Sequence, residues 1–539
     1  MPLHRLPEDR VGRDAGREGR VGPQRRPGAR GYPARVDPAE AQTPLYDAAG
    51  ARAFDRAAID GLGLPGIDLM RAAGRASDRV RRGRYAGRGR VVVLAGPGQN
   101  GGDGCEVARL ARAAGCAAVV LRVAERASAG DAARAQADAA AAGVPILERP
   151  DGALEDDLAG ADLVVDALLG TGAAGAPRGG IARAIGVVSA SGLPVLALDV
   201  PSGVDASTGE APGPAVQADC TVTYHCDKVG LRIEPGRGLA GQVVVAPIGI
   251  PAGLPVAPAA VRVAAAAGLI APRSETGSKY DAGAVLVVGG GVGMVGAPLL
   301  AAEAALRAGA GVVTVLVPDA VQPAASGLLR EAMVRPLGDD PAGRIAAYAE
   351  RAAAVVLGPG IGRDAPADGI VRAALALERP LVVDADALWW CAADPAPLAA
   401  RTAPTLITPH AGEAARLLGC DAGQIEAHRL ASARALAERT RAVALLKGAD
   451  TLVQAPDGRL GVRARACAAL ATAGSGDVLA GVAAACLARG ADPWTAGVAA
   501  AALHVDAGRR AAARAQGGAI IATDLIGCLA AADRPGSPA

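Results

Sequence analysis

Short runs of aliphatic residues alternate along most of this chain with longer segments whose apolar positions recur every three or four residues. In the first half the clearest runs are VVVLA (91–95), DLVVDA (162–167) and PVLALDV (194–200). In the second half they are VLVVGG (285–290), VVTVLV (312–317), AAVVLG (353–358), PLVVDA (380–385), PTLITP (404–409) and VALLKG (443–448). Continuous apolar runs of this length predict strands buried on both faces. Helical segments, such as 105–114 and 181–190, lie between them. That alternation predicts α/β architecture with mainly parallel sheets. A Pro/Gly/Ala stretch, PIGIPAGLPVAPAAV (247–261), reads as a connection between two units. The halves share no motifs, so two different domains are expected, at 43–252 and 262–535, with a linker at 253–261. Residues 1–42, rich in Arg, Gly and Pro and without apolar period, read as a disordered extension or a misassigned start.

Composition narrows the function. Hydrophobic residues make up 51% of the 539 and charged residues 20%, enough for packed cores. A net charge of +2 and an aromatic content of 2% give no footing for nucleic-acid binding or a membrane surface. The N-terminal stretch has no hydrophobic segment of a secretory signal. Nine scattered cysteines, none in a CxxC pair, read as small buried hydrophobes in a reducing cytoplasm and give no zinc pattern. The expected partners are small molecules, with room for a homo-oligomer. Only three of the 56 basic residues are lysines (Lys228, Lys279 and Lys447), and Asn100 is the single asparagine. Where Arg has replaced nearly every Lys, the survivors mark positions that need a compact point charge.

The polar clusters fall directly after the apolar runs, and in open α/β sheets ligands bind at the carboxyl ends of strands. AGPGQNGGDG (95–104), DALLGTG (166–172) and DVPSG (199–203) should therefore meet in one crevice, with Lys228 opposing their charge. Glycines followed by a helix N-terminus suit an anion, while Asn100, Asp166 and Ser202 offer hard oxygens to a weakly bound cation. LGPGIG, DADAL, TPHAGE, LKGADT and AGSGD should meet in a second crevice. There Gly474-Ser475-Gly476-Asp477 places backbone N–H groups at the start of an Ala-rich helix, as an anion hole for a transferring phosphoryl group. Asp477 stands where it can accept a proton from an attacking hydroxyl. A Gly291-x-Gly293-x-x-Gly296 run with Asp319 beyond it imitates a dinucleotide fingerprint, but later motifs point away from a dehydrogenase.

On LMRAAGRA (69–76), GPGQNGGDG, DLVVDALLGTG and GLPVLALDVPSGVDASTGE (192–210), residues 45–252 closely resemble the NAD(P)H-hydrate epimerase family, which implies a Rossmann-like αβα domain. The resemblance implies potassium held by Asn100, Asp166 and Ser202. It implies substrate contacts at Gln99, Asn100, Gly101, Gly102 and Asp103, at Gly170, Thr171, Gly172, Ala173, Ala174, Gly175 and Ala176, and at Asp199. Asp199 is expected to act as acid/base, with Lys228 as its electrostatic partner. On GSKYDAG (277–283), GGGVGMVGAP, VLGPGIG, VVDADAL, TPHAGE, LKGADT and AGSGDVLAG, residues 262–533 resemble the ribokinase-like ADP/ATP-dependent NAD(P)H-hydrate dehydratases. That implies hydrate contacts at Ala297, Gly362, His410 and Asp477, and adenine-nucleotide contacts at Lys447, Gly448, Ala449, Asp450, Thr451 and Gly476, with Mg²⁺ on the phosphates and Asp477 as base. The expected activity is bifunctional repair of NADHX and NADPHX. A rival reading is a vitamin-precursor kinase carrying a non-catalytic N-terminal nucleotide-binding module.

Overall fold

The computed structural model describes residues 42–532 apart from 88, 124, 125, 267, 271–273, 275, 465 and 466. Of the expected N-terminal extension, residues 1–41 lie outside the described residues. The first described strand, β1 (Gln42–Leu45), does not join the sheet that follows it in the chain.

That sheet has seven strands: β2 (Arg90–Ala95), β3 (Ala117–Arg122), β4 (Ile146–Glu148), β5 (Leu163–Ala167), β6 (Val195–Leu198), β7 (Cys220–Tyr224) and β8 (Gln242–Ala246). Their order is β4-β3-β2-β5-β6-β7-β8 and every neighbouring pair is parallel. All five residues of the central strand β5 are buried, whereas the edge strands β4 and β8 are largely open. Helices cover both faces, giving one core on each side of the sheet. From β2 the chain moves outward to β3 and β4, then returns to β5 and moves the other way. The reversal leaves a crevice between the carboxyl ends of β2 and β5, where ligands bind in such folds.

The second sheet comprises β9 (Ala260–Val263), β10 (Ala284–Val288), β11 (Val312–Val317), β12 (Met333–Pro336), β13 (Ala354–Leu357), β14 (Leu381–Val383), β15 (Thr405–Ile407), β16 (Val443–Leu446), β17 (Thr451–Gln454), β18 (Leu460–Arg463) and also β1. Its order is β1-β9-β18-β17-β16-β15-β14-β13-β10-β11-β12. The run from β12 to β16 is parallel, while β17 and β18 return as antiparallel strands. Here the reversal falls between β10 and β13. Helix Ser475–Ala488 is buried along nearly its whole length. It packs so closely on helix Gly296–Arg307 that a β-carbon on Gly481 would lie 2.0 Å from Ala301 O.

Three expectations need correction. Residues 43–45, expected in the first domain, lie in β1 and pair antiparallel with β9 of the second sheet. The expected linker is not free chain: its last two residues belong to β9, and just before it Ile248 and Ile250 are buried in a cluster with Phe54 and Leu69. The expected helix at 105–114 starts earlier, at Gln99, so the glycine-rich residues form its opening turns. The units are also joined through their cores, since Leu45, Val229 and Ile233 are buried among residues of the second sheet. Among the described residues no helix is long and apolar enough to cross a membrane.

Candidate active sites

The loop after β2 folds back against the exit of β5. A β-carbon on Gly96 would sit 1.8 Å from Leu168 O, and one on Gly101 would sit 2.1 Å from Gly96 O, so only glycine allows this approach. Asn100, in the first turn of helix Gln99–Ala113, donates from Nδ2 to Leu169 O at 2.8 Å and Leu198 O at 3.1 Å. One amide thus ties the exits of β5 and β6 together. Its Oδ1 is buried and has no hydrogen-bond partner among the described residues. Behind Leu169, the buried Asp166 accepts from Ser202 N at 2.8 Å and Ser202 Oγ at 2.6 Å. Burial raises its pKa to about 6, against the lowering effect of the Ser202 and Leu168 hydrogen bonds.

Asp199 leaves β6 with a φ of 66°, a left-handed conformation uncommon outside glycine. Its Oδ2 accepts from Thr171 N at 2.7 Å and Thr171 Oγ1 at 2.6 Å. Its Oδ1 pairs with Lys228 Nζ at 2.9 Å, and Lys228 also donates to Thr223 Oγ1 at 2.6 Å. Burial opposes the charge on both partners of this pair. The attraction between them, with the Thr171 hydrogen bonds, more than offsets it: Asp199 is held below its ordinary pKa and Lys228 above.

Asn100, Thr171, Asp199 and Lys228 line a cavity of about 590 Å³. Gln99, Asn100, Asp103, Gly170, Thr171, Gly172, Ala173, Asp199 and Lys228 are on its wall. Gly101 and Gly102 are packed against protein, Asp166 and Ser202 lie behind the wall, and Ala174, Gly175 and Ala176 lead away from it. Sequence reasoning missed Arg52, Asp55, His225 and Arg126, which also line it. One signal was available: the chain's single Phe, Phe54, is on the wall with its ring edge-on to those of Tyr46 and His225, at centroid distances of 4.9 and 4.5 Å.

In the second unit, the strand ends deliver carboxylates around one lysine. Lys447 Nζ, after β16, lies 3.0 Å from Asp384 Oδ1, after β14, and 3.7 Å from Glu413 Oε2. A β-carbon on Gly476 would lie 3.4 Å from Lys447 Nζ, so the ammonium faces the first turn of helix Ser475–Ala488. Asp477 stands in that turn. Burial and the neighbouring Asp384 raise its pKa to about 7, although Lys447 pulls the other way. His410 caps helix Ala411–Leu418, its Nδ1 accepting from Gly412 N at 3.0 Å and Glu413 N at 3.3 Å. Its Nε2 therefore carries the proton in the neutral ring. Gly362 N donates to Asp386 Oδ2 at 3.2 Å, and Ala297 packs beside Gly360.

The LKGADT loop is brought in, but unevenly. Gly448 and Ala449 are exposed and Thr451 opens β17. Asp450 is turned inward: its carboxylate pairs with the buried Arg429 and accepts from Glu234 N at 2.7 Å, leaving backbone rather than side chain for a ligand. Of the three lysines, Lys279 is not part of either cluster, and its exposed ammonium lies over the Tyr280 ring. Asp319 accepts from Gly338 N, a turn contact. Asp384, Asp386 and Glu413 were not singled out from the sequence, though each sits in a motif that was.

Comparison with known proteins follows the same division. Residues 66–230 match a family model described as YjeF-related protein N-terminus, and residues 285–530 match one described as NAD(P)H-hydrate dehydratase. The bifunctional NAD(P)H-hydrate repair enzyme Nnr of Moorella thermoacetica is 39% identical over 511 residues, covering 90% of this chain and 96% of that protein. The enzyme of that name from Escherichia coli is 36% identical over 487 residues, covering 89% and 92%. A Bacillus subtilis ADP/ATP-dependent NAD(P)H-hydrate dehydratase, co-crystallised with ATP/Mg²⁺, is 28% identical over 48% of this chain and 92% of that one, with a TM-score of 0.42. Relatives that span both units displace the reading of a lone kinase with an inert companion domain. The chain belongs to the bifunctional NAD(P)H-hydrate repair enzymes, which join an epimerase and a dehydratase in one polypeptide.

Proposed function

We propose that the 590 Å³ cavity of the first unit inverts C6 of hydrated NADH and NADPH, and that the Lys447–Asp477 cluster dehydrates the S form using ADP or ATP. Asp477 takes the proton of the C6 hydroxyl, whose oxygen attacks the terminal phosphorus of the nucleotide; the terminal phosphoanhydride bond breaks and AMP (from ADP) or ADP (from ATP) leaves. In the resulting C6 phosphate ester the C6–O bond breaks, the C5–H electron pair becomes the C5=C6 bond, and the departing phosphate takes the C5 proton. Hydroxide is a poor leaving group and phosphate a good one, so phosphorylation makes the dehydration accessible. The observation that carries this reading is the position of Asp477: a carboxyl with a pKa of about 7, in a helix first turn that Lys447 also faces. Such a carboxyl is poised to accept a proton near neutral pH, and the N–H groups and ammonium beside it suit a transferring phosphoryl group.

Potassium fits the first unit. Among the described residues, Asn100 Oδ1 is buried without a partner, and the buried Asp166 carboxylate accepts from Ser202 and Leu168 and makes no ion pair. Asn100, Asp166 and Ser202 would hold the ion, which would supply a fixed positive charge under the loops that enclose the substrate. No cluster of three or more His, Cys, Asp or Glu side chains suited to a metal occurs among the described residues. Mg²⁺, which keeps its waters and binds nucleotide phosphates, needs no such cage. All nine cysteines are free.

The test is recovery of the near-ultraviolet absorbance of NADH from its purified hydrates, with ADP and with ATP. The S hydrate should be consumed directly and the R hydrate only after epimerisation. No recovery with either nucleotide would overturn the reading.

A further inference from the structure

We infer that Asp103 is the proton-transferring catalytic residue of the first unit, and that epimerisation there proceeds by loss and re-addition of the C6 hydroxyl through a cation. The inference rests on the epimerase reading of that cavity and deepens it.

Asp199, the residue expected to carry the proton, is poorly placed to do so. Both its oxygens are engaged, one by Lys228 and the other by two donors of Thr171. Taking up a proton would break this arrangement and leave the ammonium of Lys228, 2% exposed, without its counter-charge. Asp199 is a fixed anion.

Asp103 has the complementary properties. It lies just inside helix Gln99–Ala113, its residue is 8% exposed, and it lines the same cavity. No hydrogen bond or ion pair to it is found among the described residues. A buried carboxyl with neither donors nor a cation is costly as an anion. Burial, then the charges of Asp199 and Asp55, raise its pKa well above the ordinary carboxylate value. The cavity thus contains one carboxyl, without partners, pushed toward its protonated form beside one held ionised by Lys228 and Thr171, the pairing that separates an acid from an electrostatic partner.

The charge balance selects the chemistry. Lys228 is the buried cation here, whereas Arg52 and Arg126 are exposed. Among the described wall residues, Asp55 is exposed like the two arginines, and a potassium ion behind the wall would be offset by Asp166, so the buried groups decide the balance. Once Asp103 gives up its proton, the buried carboxylates Asp103 and Asp199 face the Lys228 ammonium, an excess of one negative charge that stabilises a positive ring and opposes a negative one. The Asp103 carboxyl donates its proton to the C6 hydroxyl. The C6–O bond breaks, its electron pair leaves with water, and the N1 lone pair forms an N1=C6 iminium bond. Water adds to the opposite face, the C=N electron pair returns to N1, and the added water gives its proton, through a neighbouring water, back to the Asp103 carboxylate. Atoms and charge balance without a further reactant.

The full chain carrying Asp103→Asn tests this, with interconversion of R and S hydrates as the readout. Its dehydration of the S hydrate, at the other site, reports that the chain is folded. A fall in catalysed interconversion of at least about 100-fold is expected; interconversion at the wild-type rate overturns the assignment. Independently of any variant, wild-type enzyme in H₂¹⁸O should place one ¹⁸O at C6 for each inversion. Inverted product that keeps its ¹⁶O overturns the cationic route. A wild-type chain that does not interconvert the hydrates at all instead removes the epimerase reading on which the inference rests.

Discussion

The backbone N–H of Glu234 donates to Asp450 Oδ2 at 2.7 Å, fastening the segment that carries Lys228 to the loop that carries Lys447. The other Asp450 oxygen pairs with Arg429, and the two side chains are 0% and 1% exposed, respectively. Asp450→Ala leaves the buried guanidinium with only the half-exposed Glu426 as a carboxylate partner, 2.9 Å away, a loss of up to about 3–5 kcal/mol. Denaturant unfolding should show that loss, with both activities failing at lower temperature than in the wild type. An unchanged midpoint would mean that this pair does not hold the units together.

Lys228→Ala removes the charge that holds the buried Asp199 ionised, so Asp199 takes up a proton, the anion facing the cationic ring is lost, and R/S interconversion should fall by roughly 100- to 1,000-fold. Lys228→Arg should not restore it, because the fully enclosed ammonium donates to two fixed oxygens that a planar guanidinium cannot meet in the same space. Dehydration of the S hydrate, measured separately, should persist in both variants.

The dehydratase should lose rate on acidification. Asp477 acts as a base only when ionised, and its pKa is raised to about 7. The kcat/KM for the S hydrate should therefore be level above that pH and fall about tenfold per unit below it. Asp477→Asn should lower the rate by roughly 100- to 10,000-fold and abolish the inflection.

Exchange of K⁺ for tetramethylammonium should lower the thermal midpoint of the wild-type chain, because an ion bound only by the folded state stabilises it by mass action. Asn100→Ala should remove that dependence. It should also cost about 1–3 kcal/mol, since Leu169 O and Leu198 O lose their donor. A midpoint equally sensitive to K⁺ in the variant would place the ion elsewhere.

Much of this was legible because strand cores announce themselves. β11 was expected and found at 312–317, and the run expected at 91–95 is the buried body of β2. Residue rarity exposed Asn100, Lys228 and Lys447, since a composition that replaces Lys by Arg leaves lysine where an ammonium must fit. What stayed hidden depends on distant partners. QTPL at 42–45 has no apolar run, and it is a strand because β9 offers it a free edge. Asp450 reads as a ligand-loop residue until Arg429 and Glu234 are seen around it. Asp55 sits on an exposed helical segment, and nothing local says that it faces Asp103 and Asp199.

The placement of β1 bears on how the polypeptide is made. It hydrogen-bonds to β9, which in turn rests on β18 at 460–463. Tyr46, one residue past β1, exchanges backbone hydrogen bonds with the Asp227–Val229 segment at 2.9 and 3.0 Å. A nascent chain therefore emerges with a segment whose berth is finished only after more than 400 further residues have been synthesised. Splitting the gene at codon 252 would strand that segment on the wrong fragment, so each product would lack a stitch that the intact polypeptide provides.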